Sequence, residues 1–474
     1  MSNTFEDRLG RYTCAMRNEK ADMIPLRPFA AELTGLFGNK NCQQMTHDYN
    51  EAFEAVIAFC KEFEFDAIVP NMVYVWTGLT QALGLKYYGI PGIDIKKDVA
   101  FQYLEPSEEE SFMREDEYDE LIDDPTAFLY NKWLPRVSTR VASSTKEKSS
   151  LYANNLALVK SSMAMLGYFN AFGAQCQRMK DETQTPCAIA GIFKAPLDIL
   201  ADKLRGYLGL TMDIIEQPEK VMKACEALMP HLCNTGLSSA DPSKTLPIAF
   251  WMHRGCKPFV SDGIFESMYW ATTKPIIEEF YRNGHQTLFY AEGDWKFHLD
   301  SFRELPDASI IYHADKGDIF EIHKKLGDKF CISGGIPNVT LAFKTENDVR
   351  EICKKVIKEV GQDGGYIMDS SAIMQNEINP KNVRAMYETC KEYGVYSQGS
   401  CKPKTPLADK DLNSVIGFGD KRSDISRARI AIDWETEKQN MGKKILGDEV
   451  ICKNVWENVD SFATMYIWQI LLSF

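Results

Sequence analysis

Two short apolar runs, Gln286-Thr287-Leu288-Phe289-Tyr290-Ala291 and Ser309-Ile310-Ile311-Tyr312, decide the reading of this chain. Each ends on chemistry: the first on Glu292-Gly293-Asp294, the second on His313-Ala314-Asp315. The stretch between them is long enough for one short helical connection. Strands joined by such a crossover lie parallel. Working outward, runs at 23–26, 67–70, 188–193 and 247–252 come before this pair, and runs at 330–333 and 365–368 follow it. Helix-length segments such as 265–284, 318–326 and 346–360 separate them. Eight alternations predict a closed (β/α)8 TIM barrel. A doubly wound sheet would want a phosphate-cradling loop, and the sequence has neither G-x-G-x-x-G nor G-x-x-x-x-G-K-[ST].

In a parallel barrel the working side chains sit at the C-terminal strand ends. The fourth strand delivers His253-Arg254-Gly255, the fifth Glu292 and Asp294, the sixth His313 and Asp315, and the eighth Asp369-Ser370-Ser371. Twenty residues (293–312) separate Glu292 from His313, so the two are expected to cap adjacent strands. Neighbouring strands lie about 4.8 Å apart. A carboxylate and an imidazole at that separation can share one zinc through bonds of about 2.0–2.2 Å. Five of the seven histidines fall between His253 and His323. Asp294, His253 and Asp315 are expected to orient the ligands, and Tyr290, Trp251 and Trp295 to line an aromatic pocket.

The barrel is expected to occupy residues 1–400, with a helical, acidic insertion at about 98–174 that contains Glu108-Glu109-Glu110 and Glu115-Asp116-Glu117. From Cys401 the segment Lys402-Pro403-Lys404-Thr405-Pro406 reads as a linker into a C-terminal extension, 401–474, whose apolar end suggests a docked helix or a contact between two copies in a homodimer. The net charge of −13 argues against a nucleic-acid partner. Thirteen scattered cysteines without a Cys-x-x-Cys fit reduced thiols, and no run of about 18 apolar residues marks a membrane span. With a polar N-terminus, these features point to a cytoplasmic location.

Several stretches, in order, resemble one family. They are Ala15-Met16-Arg17-Asn18-Glu19-Lys20-Ala21-Asp22-Met23-Ile24-Pro25, Glu117-Tyr118-Asp119-Glu120-Leu121-Ile122-Asp123-Asp124-Pro125, Ala195-Pro196-Leu197-Asp198-Ile199-Leu200-Ala201-Asp202-Lys203-Leu204-Arg205-Gly206, Gly334-Gly335-Ile336-Pro337 and Gly364-Gly365-Tyr366-Ile367. The chain is similar to the uroporphyrinogen-decarboxylase-like superfamily. Within it, the chain resembles the corrinoid-dependent methyltransferases, in particular methyltransferase I of anaerobic O-demethylase systems. Decarboxylases of the parent type carry an Arg-Gln-Ala-Gly-Arg motif after the first strand. Here Arg27-Pro28-Phe29-Ala30-Ala31-Glu32 stands instead, with one cation where a polycarboxylate needs several.

The thiol-methylating relatives hold zinc with His-x-Cys at the fifth strand and a Cys after the eighth. The matching positions here are Tyr290, Glu292 and Ala372. The resemblance to ether demethylases implies a Glu…Glu…His ligand set, which maps onto Glu278, Glu292 and His313, although Glu278 falls in the middle of an expected helix. Oxygen and nitrogen ligands leave zinc a harder Lewis acid than thiolates do, which suits an ether oxygen. The implied reaction moves a methyl group from an aryl methyl ether to the Co(I) corrinoid of a partner protein, since the sequence has no corrinoid-binding Asp-x-His-x-x-Gly. The alternatives are a methyl-corrinoid:thiol methyltransferase, a decarboxylase, or a non-catalytic barrel that binds partners.

Overall fold

The computed structural model describes residues 3–69, 77–86, 88–104, 106–107, 110–141, 148–396, 412, 415–442 and 447–472. Two short strands, β1 (Tyr88–Gly89) and β2 (Gln102–Tyr103), pair antiparallel. Six more form one parallel sheet in sequence order: β3 (Ile192–Lys194), β4 (Ile248–Met252), β5 (Thr287–Ala291), β6 (Ile310–Ala314), β7 (Cys331–Gly334) and β8 (Tyr366–Ile367). Every residue of these six is buried. Their near-continuous apolar runs therefore follow from being covered on both faces.

Two further staves close the ring. Residues 25–27 join β8's end through Arg27 N–H to Met368 O (3.1 Å) and Met368 N–H to Pro25 O (2.9 Å). Residues 66–69 join the first stave through Asp66 N–H to Leu26 O (2.9 Å). They join the third through Ala188 N–H to Ile68 O (2.8 Å). The bridges Leu26–Met368 and Ile68–Cys187 are both parallel. The molecule is thus the expected closed eight-stave barrel, although its first two staves are single bridges instead of regular strands. Pro70, the end of the expected second strand, lies outside the described residues.

Alternate residues of each strand point inward. Ala249, Trp251, Leu288, Tyr290, Ile311, Cys331 and Ile367 belong to one inner cluster. A second, larger cluster fills the space between the strands and the helical shell. The insertion is helical as expected, ending in the long helix Lys148–Arg178, and the β1–β2 pair was not anticipated. Of Glu108-Glu109-Glu110, the first two lie outside the described residues, as does the expected linker from Cys401 to Pro406. The last helix, Glu449–Leu472, docks as expected: Ile467, Trp468 and Ile470 are buried, and Trp468 stacks on His231 at 4.7 Å. Among the described residues no helix is long and apolar enough to cross a membrane.

Candidate active site at the barrel mouth

The parallel register decides which side chains meet. Tyr290 pairs with His313 and Ala291 with Ala314. Glu292 therefore stands level with Asp315, and His313 sits one inward layer lower, about 6.6 Å down the strand. His313 is fully buried and stacked on Tyr290 at 4.6 Å. Its Nε2–H donates to Ser371 O (3.1 Å), and its Nδ1 faces Arg27 (3.1 Å) and Ser333 Oγ (3.0 Å). Burial and the Arg27 guanidinium push its pKa well below the usual range. Both ring nitrogens are engaged within the barrel, and the fold does not set His313 level with Glu292. The sixth strand runs to Ala314, two residues beyond its expected end.

Glu278 is set apart from Glu292 and His313. It lies on the helix Ala271–Arg282, ahead of β5, and its carboxylate accepts from Gly417 N–H (3.1 Å) in the C-terminal extension. Asp294 turns outward, accepting from Lys296 N–H (3.1 Å), and Trp295 is buried against Phe265 and Tyr269. Neither borders the mouth. Tyr290 lies beneath it, between Trp251 (4.9 Å) and His313, in an aromatic floor completed by Phe29.

What the fold brings together is His253 with Glu292. His253 follows β4, and its Nδ1–H donates to Asp202 Oδ2 (3.1 Å). Its Nε2 faces Glu292 Oε1 across 4.0 Å. Asp202 and Asp198 come from the helical segment after β3, spaced i, i+4 so that both face β4. Asp198 accepts the backbone N–H of Arg254 (2.6 Å) and the hydroxyl of Tyr269 (3.0 Å). Burial and the charge of Asp202 push Asp198 up to about 6. Burial works against the charge of Asp202 too, yet Lys194, His253 and Arg254 together hold it well below the usual carboxylate range. Burial also opposes a charge on His253, but its bond to Asp202, with Glu292 nearby, raises its pKa. Asp315 accepts Gly293 N–H (2.9 Å), and burial raises its pKa. Of these groups Lys194, Asp202, His253 and Glu292 border a cavity of about 280 Å³ at the strand ends, walled by Tyr103, Lys203 and Trp251. A larger depression of about 910 Å³ lies on the outside of the insertion near Arg114 and Arg136, away from the strand ends.

A family model described as uroporphyrinogen decarboxylase (URO-D) matches residues 147–393. The chain belongs to the uroporphyrinogen decarboxylase family. A solved methyltransferase from Methanosarcina mazei is similar in fold, with a TM-score of 0.54 at 14% identity, covering 83% of this chain and 99% of that one. No curated protein sequence matches the chain.

The URO-D span contains β3–β8 and the whole Lys194, Asp202, His253, Glu292 cluster. Sequence reasoning named Glu292 and His253 but missed Asp202, Lys194 and Lys203. The available signal was the Asp198–Asp202 spacing directly after an apolar run. The π-helical turn Leu200–Leu204, which lets the consecutive Asp202 and Lys203 both border the cavity, carries no readable motif.

Among the described residues no cluster of three or more His, Cys, Asp or Glu side chains is placed to hold a metal. His253 and Glu292 nevertheless fit as two donors. An aspartate fixes the imidazole through Nδ1 and leaves Nε2 aimed at a carboxylate. That is one protein donor short of the three usual in catalytic zinc sites.

Proposed function

We propose that this URO-D-family barrel is a methyltransferase that takes the methyl group of a methyl ether, an aryl methyl ether in the first instance, and passes it to the Co(I) corrinoid of a separate protein. The observation that carries the reading is the Asp202–His253···Glu292 array, open to a cavity bordered by Trp251 and Tyr103 at the barrel mouth. The likeness in fold to the Methanosarcina mazei methyltransferase supports the same reaction class.

Zinc is the cofactor of this reading, with Glu292 and His253 as the residues that would hold it. Bound there, it would supply Lewis acidity toward the ether oxygen. The rest is the chain's own work. Asp202 keeps the imidazole in one tautomer and orientation. Lys194 Nζ, 3.3 Å from Asp202, and Arg254 Nε, 2.7 Å away, fix that carboxylate in turn. Trp251 and Tyr103 offer apolar faces to a ring, and the buried floor beneath keeps bulk water out of the barrel. In the transfer the methyl carbon breaks its bond to oxygen and bonds to cobalt. The oxygen keeps the electron pair and takes up a proton to leave as the alcohol. Lowering the energy of that departing oxygen more than that of the intact ether is what accelerates the step.

The test is anaerobic incubation of the protein with a Co(I) corrinoid protein and a panel of methyl donors, following the conversion of the Co(I) spectrum to that of methyl-cobalt. Turnover with aryl methyl ethers is expected. Methylation of thiols from a methyl-corrinoid, with every ether ignored, would refute the reading.

A further inference from the structure

Ten residues of chain separate Cys176 from Cys187, and the fold brings their sulfurs to 3.1 Å. The approach follows from how the long helix ends. Lys148–Arg178 runs on into the π-helical turn Met179–Thr183, and Gln184, left-handed at φ 57°, turns the chain back. Cys187 then joins the third stave through its bridge to Ile68. Both sides of the turn are anchored. Beside Cys176, Gln175 Nε2 donates to Phe53 O (3.1 Å), and Arg178 pairs with Glu54 and Glu182. On the other side, Arg8 Nη1 donates to Thr183 O (2.9 Å) and Ala188 N–H to Ile68 O (2.8 Å). The two sulfurs thus face each other from fixed backbone.

These thiols differ from the rest. Nine of the twelve described cysteines are buried, and Cys176 and Cys187 are two of the three that reach solvent in part. Burial pushes thiols such as Cys60 and Cys256 up to about 12, which keeps them protonated and unreactive. At Cys176 the bond from the Cys187 S–H outweighs burial and lowers the pKa, while the same bond, with burial, raises that of Cys187. One sulfur is biased toward the nucleophilic thiolate, and its neighbour holds the proton. A disulfide sets its sulfurs about 2.05 Å apart, so closure asks for a movement of about 1 Å, within reach of small side-chain rotations. In a reducing compartment a disulfide formed this way is transient and serves redox chemistry. The pair lies toward the end of the stave away from Lys194 and the mouth, so it does not depend on the methyl-transfer reading.

We propose that Cys176 and Cys187 form a redox-active dithiol whose substrate is a hydroperoxide. The Cys176 sulfur attacks one peroxide oxygen. The O–O bond breaks, the departing oxygen takes a proton and leaves as water (as an alcohol from an alkyl hydroperoxide), and Cys176 is left as a sulfenic acid. The Cys187 sulfur then attacks the Cys176 sulfur, the S–O bond breaks, and a water leaves with the Cys187 proton. The two thiols lose two electrons and the peroxide gains them. A small dithiol reverses the bond by exchange. The test treats the reduced full chain with one equivalent of hydrogen peroxide, blocks the remaining thiols and digests with trypsin without reductant. Cleavage after Lys160, Arg178, Lys180 and Lys194 places the two cysteines on separate peptides, 161–178 and 181–194. The expected product is these two joined, lighter by two hydrogens than their sum and separated by dithiothreitol, formed before the part-exposed Cys452 is oxidised. In Cys187→Ser, Cys176 should stop at a sulfenic acid that dimedone traps, and Cys176→Ser should leave Cys187 unoxidised. The wild-type peptide result stands whether or not either variant folds. No link between the two peptides, a link from Cys187 to the nearby buried Cys60 instead, or oxidation of Cys452 at the same rate would each overturn the proposal.

Discussion

His313 and Glu292 differ by one layer of the barrel, and that layer separates a buried residue from one that borders the mouth cavity. His313 is held by Ser371, Ser333 and Arg27 and does not line the mouth cavity. His253 has one nitrogen held and one aimed at Glu292. Metal analysis of purified variants should separate them. His253→Ala should lose most of its zinc, and His313→Gln should keep it. Asp202→Asn, which removes the group that orients His253, should weaken zinc binding about 10–100-fold. A zinc-free His313→Gln with a fully loaded His253→Ala would restore the spacing-based reading and sink this one.

Asp369, buried beside Arg27 at 3.2 Å, is pushed up to about 7, chiefly by burial. A carboxyl whose folded pKa is raised binds its proton more tightly folded than unfolded. Its contribution to stability is therefore full below about pH 4 and is lost as pH rises through about 7. Thermal melts between pH 4 and 8 should show this loss in the wild type and not in Asp369→Asn. Equal slopes would contradict the burial argument.

The first two staves show how little regular strand a barrel needs when side chains do the joining. Asp66 is fully buried; one oxygen accepts Leu26 N–H (2.9 Å) and the other takes Arg11 (3.0 Å), which also grips Asp22 (2.7 Å). Removing Asp66 strips the buried Leu26 N–H of its acceptor, while Arg11 keeps Asp22, at a cost of about 1–3 kcal/mol. Asp66→Ala should lower the denaturation midpoint accordingly, whereas Glu64→Ala, whose carboxylate is mostly exposed, should change it little. The alternation of apolar runs and helices was enough to read the staves, because parallel strands buried on both faces must be apolar throughout. Their ends were not, since polar residues such as His313 continue a strand without announcing it. The mouth was half legible. Glu292 and His253 follow strands directly, but Asp202 and Lys203 depend on a π turn, and Tyr103 on a strand pair inside the insertion.

At the scale of the whole molecule, the mouth of a URO-D-family barrel carries an oriented histidine, a facing carboxylate and aromatic walls in a cavity of about 280 Å³. That volume is just under the usual range for small-ligand sites, which suits a single ring better than a tetrapyrrole. In the proposed reaction, a cobalt co-substrate borne by its own protein would meet the methyl donor at the opening. The most direct measurement follows methyl-cobalt formation from a Co(I) corrinoid protein and an aryl methyl ether, for wild type and Glu292→Gln at equal protein concentration under anaerobic conditions. The account predicts turnover by the wild type and a rate at least about tenfold lower for Glu292→Gln, equivalent to ~1.4 kcal/mol of lost transition-state stabilisation. No methyl-cobalt from any ether, or equal rates for the two proteins, would contradict it.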